Sequence, residues 1–209
     1  MSTNGETISI QTLKRLPLYL NYLEKLDDDV INISTPKMAS DLGLTDILVK
    51  KDLMGVVKVS GRPKIGHEVK SLIDDIRDYL GYNNVSSAVL VGAGHLGKAL
   101  LNFHEFKKWN VEIAIAFDNN PKVIGREINN IKILDIGKLV NLCQKMSIHM
   151  GIITTSAEAA QETCDKLVEA GIKGIWNFAP VTLKVPDGVF VEDVNLASSL
   201  AMLSHKLQK

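Results

Sequence analysis

The stretch Ser87-Ala88-Val89-Leu90-Val91-Gly92-Ala93-Gly94-His95-Leu96-Gly97-Lys98 decides the fold of this chain. Its first five residues form a near-continuous apolar run, as expected for a strand buried on both faces of a parallel sheet. The run passes directly into Gly-x-Gly-x-x-Gly and then into a helical pattern from Lys98 to Lys108. Alone, the glycine motif is weak. Here a second apolar strand, Val111 to Phe117, follows the helix and ends in Asp118, 24 residues after Gly94. That context is the one a dinucleotide requires. Gly92 permits a tight turn, Gly94 lets a pyrophosphate approach the backbone, and Gly97 lets helix and strand pack closely. The helix N-terminus supplies amide donors to the phosphates. A carboxylate at Asp118 accepts from the adenine ribose hydroxyls and repels a 2′-phosphate, which favours NAD over NADP. The competing role for Asp118 is to cap the turn Asn119-Asn120-Pro121.

The alternation of strand and helix continues to the C-terminus. Strands are expected at Ile131–Leu134, Ile148–Ile153 and Ile172–Trp176, with helices at Ile136–Met146 and Ala157–Ala170. A final pair of short strands is expected to end at Val194. Thr154-Thr155 and Asn177-Phe178 follow strand ends, where a doubly wound sheet lines its ligand crevice, although turn chemistry alone also places such residues there. The candidate cofactor-binding residues are Gly92, Ala93, Gly94, His95, Leu96, Gly97, Asp118, Asn119, Thr154, Thr155, Asn177 and Phe178. Asn195 reads as a helix cap, and Leu196, Leu200, Leu203 and Leu207 form an apolar stripe after it. With no later element to cover it, that stripe is expected to dock on the body or on a partner subunit.

The first third reads differently. Leu13, Leu16, Leu20 and Leu23 recur at helical spacing from Ile10 to Leu26, with Pro17 suggesting a break or a new first turn. Ser34 or Thr35 caps a second helix with Pro36 in its first turn. Met38, Ala39 and Leu42 form its buried face, and Gly43 ends it. Thr45 caps a third helix that buries Val49 and Leu53. Two short helices around a Gly turn are a helix-turn-helix, and any short helical hairpin is the alternative. Val56 to Val59 reads as a strand and Ser60-Gly61-Arg62-Pro63-Lys64 as a basic turn, together a wing or a solvated basic loop. Val69, Leu72, Ile73, Ile76 and Leu80 mark a linking helix that stops at Gly81.

The chain has 209 residues, 45% of them hydrophobic, and formal net charge zero. Overall charge therefore gives no footprint for nucleic acid. Its distribution does: from Ile47 to His67 the basic residues are Lys50, Lys51, Lys58, Arg62 and Lys64, against the single acid Asp52. With Arg15 and Thr45, these five are the candidate DNA-contacting residues. Cys143 and Cys164 lie in helical patterns rather than a paired motif, and the histidines lack ligand spacing, so no metal is expected. The absence of a long apolar run or a signal pattern leads to the expectation of a cytoplasmic chain without membrane contact.

The chain resembles the Rex family of bacterial redox-sensing transcriptional repressors. The resemblance lies in Arg15-Leu16-Pro17 with Tyr19, Val49-Lys50-Lys51-Asp52-Leu53, Gly92 to Gly97, Phe117-Asp118 and Ala157-Glu158-Ala159-Ala160-Gln161. It extends through Gly171 to Pro180, which is its most specific part, and Val194-Asn195-Leu196-Ala197. It implies a homodimer with C-terminal helices swapped between subunits, binding to an inverted-repeat operator, and release by NADH. Departures from the family pattern are Met54-Gly55-Val56-Val57, the wing Arg62-Pro63-Lys64-Ile65-Gly66-His67, and Asn195. The resemblance implies Asp at position 195, linked to the nicotinamide site across the dimer.

The expected fold is α/β. Residues 1–82 form a winged helix-turn-helix unit (helix-turn-helix about 17–56, wing about 56–66). Residues 83–209 form a Rossmann-type doubly wound parallel sheet that binds NAD(H), with a terminal, domain-swapped dimerisation helix at 195–208. The expected function is a non-enzymatic repressor that senses the NADH/NAD balance. The alternatives are an NAD-dependent oxidoreductase and a CoA- or nucleotide-binding module.

Overall fold

The computed structural model of the chain describes residues 8–59, 61–63, 65–83 and 86–208, with the side chains of Leu196 and Ser199 left out. The chain divides into two compact units, Met1–Asn84 and Val85–Lys209.

In the first unit, α1 (Ile10–Leu23) runs unbroken through Pro17, contrary to the expected break, and ends short of Leu26. Ser9 supplies its N-cap, accepting from the Thr12 amide. The chain then forms the two-residue strand β1 (Asn32–Ile33) and the helices α2 (Thr35–Leu42) and α3 (Asp46–Met54). Ser34 caps α2 and Thr45 caps α3, each through its side-chain oxygen. Between them Gly43 adopts φ 66°, ψ 31°, the left-handed conformation that a residue with a Cβ resists. The Leu44 amide bonds back to Ala39 O at 2.8 Å, and Thr35 Oγ1 donates to Asp46 Oδ1 at 2.7 Å. These bonds fix α2 against the first turn of α3. The buried core is Leu16, Tyr19, Leu20 and Leu23 of α1 with Met38, Ala39, Val49 and Leu53.

The wing differs from expectation. Residues 56–59 form no strand, because Val56 is buried and the Val56 and Val57 amides both bond to Leu53 O. The hairpin partner of β2 (His67–Glu68) is β1, antiparallel, with Ile33 opposite His67. Gly66 makes that pairing possible: at φ 90° its Cβ position lies 2.2 Å from Ile33 O. Arg62 and Gly66 close the turn as an isolated antiparallel bridge. The helix α4 (Val69–Tyr79) follows and packs Val69, Leu72 and Ile76 into the same core.

The second unit is built on β3 (Ser86–Val91), α5 (His95–Leu101), β4 (Val111–Asp118), β5 (Glu127–Ile128) and β6 (Ile131–Asp135). After these come α6 (Leu139–Lys145), β7 (Met150–Ile153), α7 (Ala157–Glu169), β8 (Gly174–Asn177), β9 (Phe190–Asp193) and α8 (Leu196–Leu207). The sheet order is β5-β6-β4-β3-β7-β8-β9, and all pairings are parallel except β5 with β6. Leaving out β5, this is the doubly wound order of dinucleotide-binding sheets, with the topological switch point between β3 and β7. Side chains alternate across β3. Val89 and Val91 face α6 and α7, while Ala88 and Leu90 face α5 and Phe106. This explains why β3 reads as a continuous apolar run.

Two elements of the second unit differ from expectation. The helix expected from Lys98 to Lys108 is α5 followed by a separate 3-10 segment, His104–Trp109. The final pair of strands is one strand, β9, laid parallel to β8 after a helix-free crossover through residues 178–189. The edge strand β5 had no counterpart in the sequence reading. Among the described residues, no helix is long and apolar enough to cross a membrane, and no group of His, Cys, Asp and Glu could hold a metal ion.

Candidate functional site

At the switch point, the ends of β3, β4 and β7 enclose a cavity of about 390 Å³. The Gly92 amide bonds to Phe117 O (2.8 Å), and the Thr154 amide to Val91 O (2.9 Å). Thr154 Oγ1 donates to Gly92 O at 2.7 Å. These bonds draw the glycine loop tightly over the strand ends, and two glycines make that possible. Gly92 has φ 104°, and a Cβ there would lie 2.8 Å from the Thr154 carbonyl carbon. A Cβ on Gly97 would lie 1.9 Å from Gly92 O. Gly94 is different, since nothing lies within 4 Å of its Cβ position. Gly94 is also the N-cap of α5 and provides no side-chain cap. Its missing side chain leaves open a place where a phosphate can approach the loop.

Asp118 ends β4 with both oxygens engaged: Oδ2 accepts from the Ala93 amide (2.7 Å) and Oδ1 from the Asn120 amide (2.7 Å). It caps the following turn and also lines the crevice. Each oxygen retains a second lone pair for a hydroxyl donor. On the other wall, Thr155 Oγ1 is buried without a hydrogen-bond partner. A buried hydroxyl left unsatisfied costs about 1–3 kcal/mol, so a polar group that reaches it at this cavity wall would be favoured. The open Gly94 position, the Asp118 carboxylate and the orphaned Thr155 hydroxyl together fit a ribose-bearing dinucleotide.

Gly92, Gly94, Asp118, Asn119, Thr154 and Thr155 all line this cavity. Ala93 is buried beneath it, with its amide on Asp118. Gly97 is buried behind the loop, and His95 and Leu96 are exposed on the first turn of α5. Asn177 and Phe178 are not in it. Asn177 is fully buried, and its carboxamide is used up by the chain itself. Phe178 stacks edge-to-face on Trp176 at 4.6 Å and lines a neighbouring cavity with Asp193, Val194 and Asn195. The sequence reading missed Ile136, Ser156 and the α7 face Ala159, Glu162, Thr163 and Lys166. The spacing i, i+3, i+4, i+7 was a usable signal that these four share one face. Lys166 and Glu162 pair there at 2.7 Å.

The first unit carries the other candidate set. Lys51 and Arg62 are exposed. Thr45 caps α3, and Lys50 pairs with Asp46 one turn back at 2.7 Å. Lys58 pairs with Asp78 and, at 3.7 Å, with Asp75. Lys64 lies outside the described residues. Arg15 has an internal partner that the sequence reading did not supply. Its Nε and Nη2 donate to Asp52 at 2.6 and 2.7 Å, and Tyr19 Oη (2.6 Å) and Thr12 Oγ1 (2.9 Å) donate to the same carboxylate. Burial alone would raise the pKa of Asp52, but the hydrogen bonds from Arg15, Tyr19 and Thr12 outweigh it and hold the carboxyl below its ordinary value. Burial and the adjacent carboxylate push Tyr19 up to about 12. Asp52, the lone acid of the basic stretch, thus anchors α3 to α1.

In α8, Asn195 caps the first turn, accepting from the Ser198 amide at 2.9 Å. Leu200, Met202, Leu203 and Leu207 are all more than half exposed in the single chain.

Residues 83–181 match the family described as "CoA binding domain", and residues 7–53 match "Putative DNA-binding protein N-terminus". Over nearly its whole length the chain is similar to curated proteins called redox-sensing transcriptional repressor Rex. The Clostridium novyi (strain NT) protein is 37% identical, over 96% of this chain and 95% of its own. Among solved structures, RSP in complex with β-NAD+ and operator DNA superposes with a TM-score of 0.91 at 34% identity, covering 99% of this chain and 94% of that one. RSP in complex with β-NADH gives 0.86 at 34% identity, covering 96% and 94%. Two halves matching separately, and whole-length relatives carrying both, make this chain a member of the Rex family of redox-sensing transcriptional repressors.

Proposed function

We propose that the chain is a transcriptional repressor that senses the balance of NADH and NAD, binding operator DNA as a dimer and leaving it when NADH binds. The observation that carries this reading is one chain holding both a dinucleotide-type crevice, with an orphaned Thr155 hydroxyl and an open Gly94 position, and a capped helix-turn-helix. Asp118 selects a ribose with free hydroxyls, and the loop Gly92 to Gly97 with Thr154 and Thr155 holds the diphosphate side. The cofactor supplies a nicotinamide ring that is positively charged when oxidised and neutral when reduced. The chain supplies binding and orientation, and as a Rex repressor it is not an enzyme. In the dimer, the exposed apolar face of α8 is covered by the second copy. Two α3 helices then enter successive major grooves of an inverted repeat, about 34–36 Å apart. Lys51 and Lys50 contact the groove or its phosphates. Arg62, Lys58 and Lys64 serve the backbone or minor groove. For Lys50 and Lys58 this means exchanging their acidic partners for phosphate.

NADH titration tests the cofactor half. Energy transfer from Trp109 and Trp176 to the nicotinamide should saturate, with NADPH binding at least about tenfold more weakly, a difference of about 1.4 kcal/mol. The nicotinamide absorbance should stay constant. Equal affinity for NADPH, tighter binding of CoA, or steady oxidation of NADH by small carbonyl compounds would contradict the reading.

Thr155→Val is expected to act with opposite signs on the free and bound chain. Replacing an unsatisfied buried hydroxyl with a methyl of the same shape should raise the stability of the cofactor-free protein by about 1 kcal/mol. The same change should weaken NADH by a similar amount. Thermal melts with and without NADH read both effects. A variant less stable than the native chain in both states would show that Thr155 has a structural role instead.

A further inference from the structure

The fully buried Asn177, next to the crevice but outside it, has no part in the site as described, yet its hydrogen bonds run in two directions. On one side β8 pairs with β7, Asn177 opposite Ile153, and the Phe178 amide donates to Ile153 O at 2.9 Å. Ile153 is followed immediately by the crevice residues Thr154 and Thr155. On the other side Asn177 lies opposite Asp193 of β9, and its carbonyl accepts from the Val194 amide at 2.8 Å. Asn195, the cap of α8, comes next.

The side chain reinforces the second side and the loop after β8, while the link to β7 is through backbone pairing. Nδ2 donates to Asp193 Oδ1 at 2.8 Å and to Val181 O at 2.9 Å, with a longer contact to Ala179 O at 3.3 Å. Oδ1 accepts from the Ala179 amide at 3.0 Å. One carboxamide therefore holds the loop after β8 and, through Asp193, the root of the helix whose apolar face is exposed. Asn177 is fully buried, so its carboxamide is expensive to leave unpaired, while its partner Asp193 is exposed. The side-chain bond to Asp193 thus adds to the backbone pairing of β8 with β9 and to the bond from the Val194 amide.

We propose that Asn177 is a positioning residue that couples the crevice to α8, through Asp193, so that cofactor binding at the ends of β3 and β7 changes the direction in which α8 leaves the body. This rests on the repressor reading above. In that reading α8 sets the dimer, and the dimer sets the spacing of the two DNA-binding helices.

The quantity to measure is the coupling factor, the ratio of operator affinities without and with saturating NADH. The DNA is an inverted repeat selected by the protein from a random duplex library. Asn177→Asp keeps the shape but removes the donors and sets a carboxylate against Asp193. It should leave NADH affinity and NADH-free operator affinity within about threefold and cut the coupling factor by about tenfold. Adding Asp193→Asn returns a donor to the pair and should restore most of the coupling. A purely structural role would not produce that rescue. Asp193→Ala alters an exposed residue and should reduce coupling in the same way, so it decides the matter if Asn177→Asp does not fold. Full coupling in Asp193→Ala overturns the proposal. So does an Asn177→Asp coupling factor that the second substitution does not raise. If the native chain itself shows no coupling, the repressor reading fails first, which is a distinct outcome.

Discussion

A Gly97→Ala chain is expected to lose NADH binding outright. The new Cβ would sit 1.9 Å from Gly92 O and 3.0 Å from the Gly92 carbonyl carbon, with Thr154 Oγ1 at 3.1 Å. Two of those neighbours are backbone. Gly92 cannot retreat, because its amide is bonded to Phe117 O, its carbonyl accepts from Thr154 Oγ1, and it is already at φ 104°. Relief must come from moving the loop that forms the phosphate cradle. Overpacking of this kind costs about 1–3 kcal/mol or more, and here the strain falls on the site itself. NADH affinity should fall by more than about 100-fold, or about 2.7 kcal/mol. The comparison that isolates the cause is Gly94→Ala. Gly94 has φ −72° and open space at its Cβ position, so this variant should melt like the native chain and still bind NADH more weakly. Calorimetric titration of both variants separates the two effects. Native NADH affinity in Gly97→Ala would mean that the ligand does not use this loop.

Arg15→Ala should destabilise the first unit by about 3 kcal/mol. Removing one partner of a buried pair leaves an uncompensated charge, which costs about 3–5 kcal/mol, and the lower value applies because Arg15 keeps part of its surface in water. The side-chain exposures are 23% for Arg15 and 1% for Asp52. Tyr19 and Thr12 remain as donors but carry no positive charge. In the native chain Asp52 has a depressed pKa, so its contribution is complete above the ordinary carboxylate value of 3.8 and is lost as the pH falls through the lower folded value. Without Arg15, burial dominates, and protonating Asp52 relieves the penalty. The stability difference between the two chains is therefore largest at neutral pH and shrinks in acid. Denaturant titrations across pH 3 to 7 (about half a unit apart) measure this. A difference that grows in acid would contradict the assignment. Operator binding should fall with stability, because Asp52 is on the helix proposed to enter the groove.

The parts legible in the sequence are those whose cause is local. The apolar run of β3, its glycine turn and Asp118 follow one another closely, and each constrains the next. The caps Ser34, Thr45 and Asn195 and the left-handed Gly43 are likewise set by neighbouring residues. What was not legible depends on distant partners. Arg15 reads as a free basic residue until Asp52, far along the chain, is seen to be fully enclosed. Val56 to Val59 have strand composition, but Val56 is drawn into the core, and β2 pairs with β1 instead. Asn177 follows a strand end, as ligand-binding residues do, but the helix-free crossover to β9 brings Asp193 beside it and claims its carboxamide. The crevice positions of α7 share one helical face, but nothing in the local sequence says that this face meets the ends of β3 and β4.

The central claim is that one chain couples NADH binding to DNA release, and the most direct measurement of it is operator affinity at fixed salt with each cofactor. A labelled inverted-repeat duplex is bound by the native chain and followed by fluorescence anisotropy as NADH or NAD is added. The expected result is that NADH weakens the complex by roughly 100-fold, about 2.7 kcal/mol, and that operator DNA weakens NADH binding by the same factor, as linkage requires. Operator affinity that changes by less than about twofold, or about 0.4 kcal/mol, with either cofactor would contradict the claim.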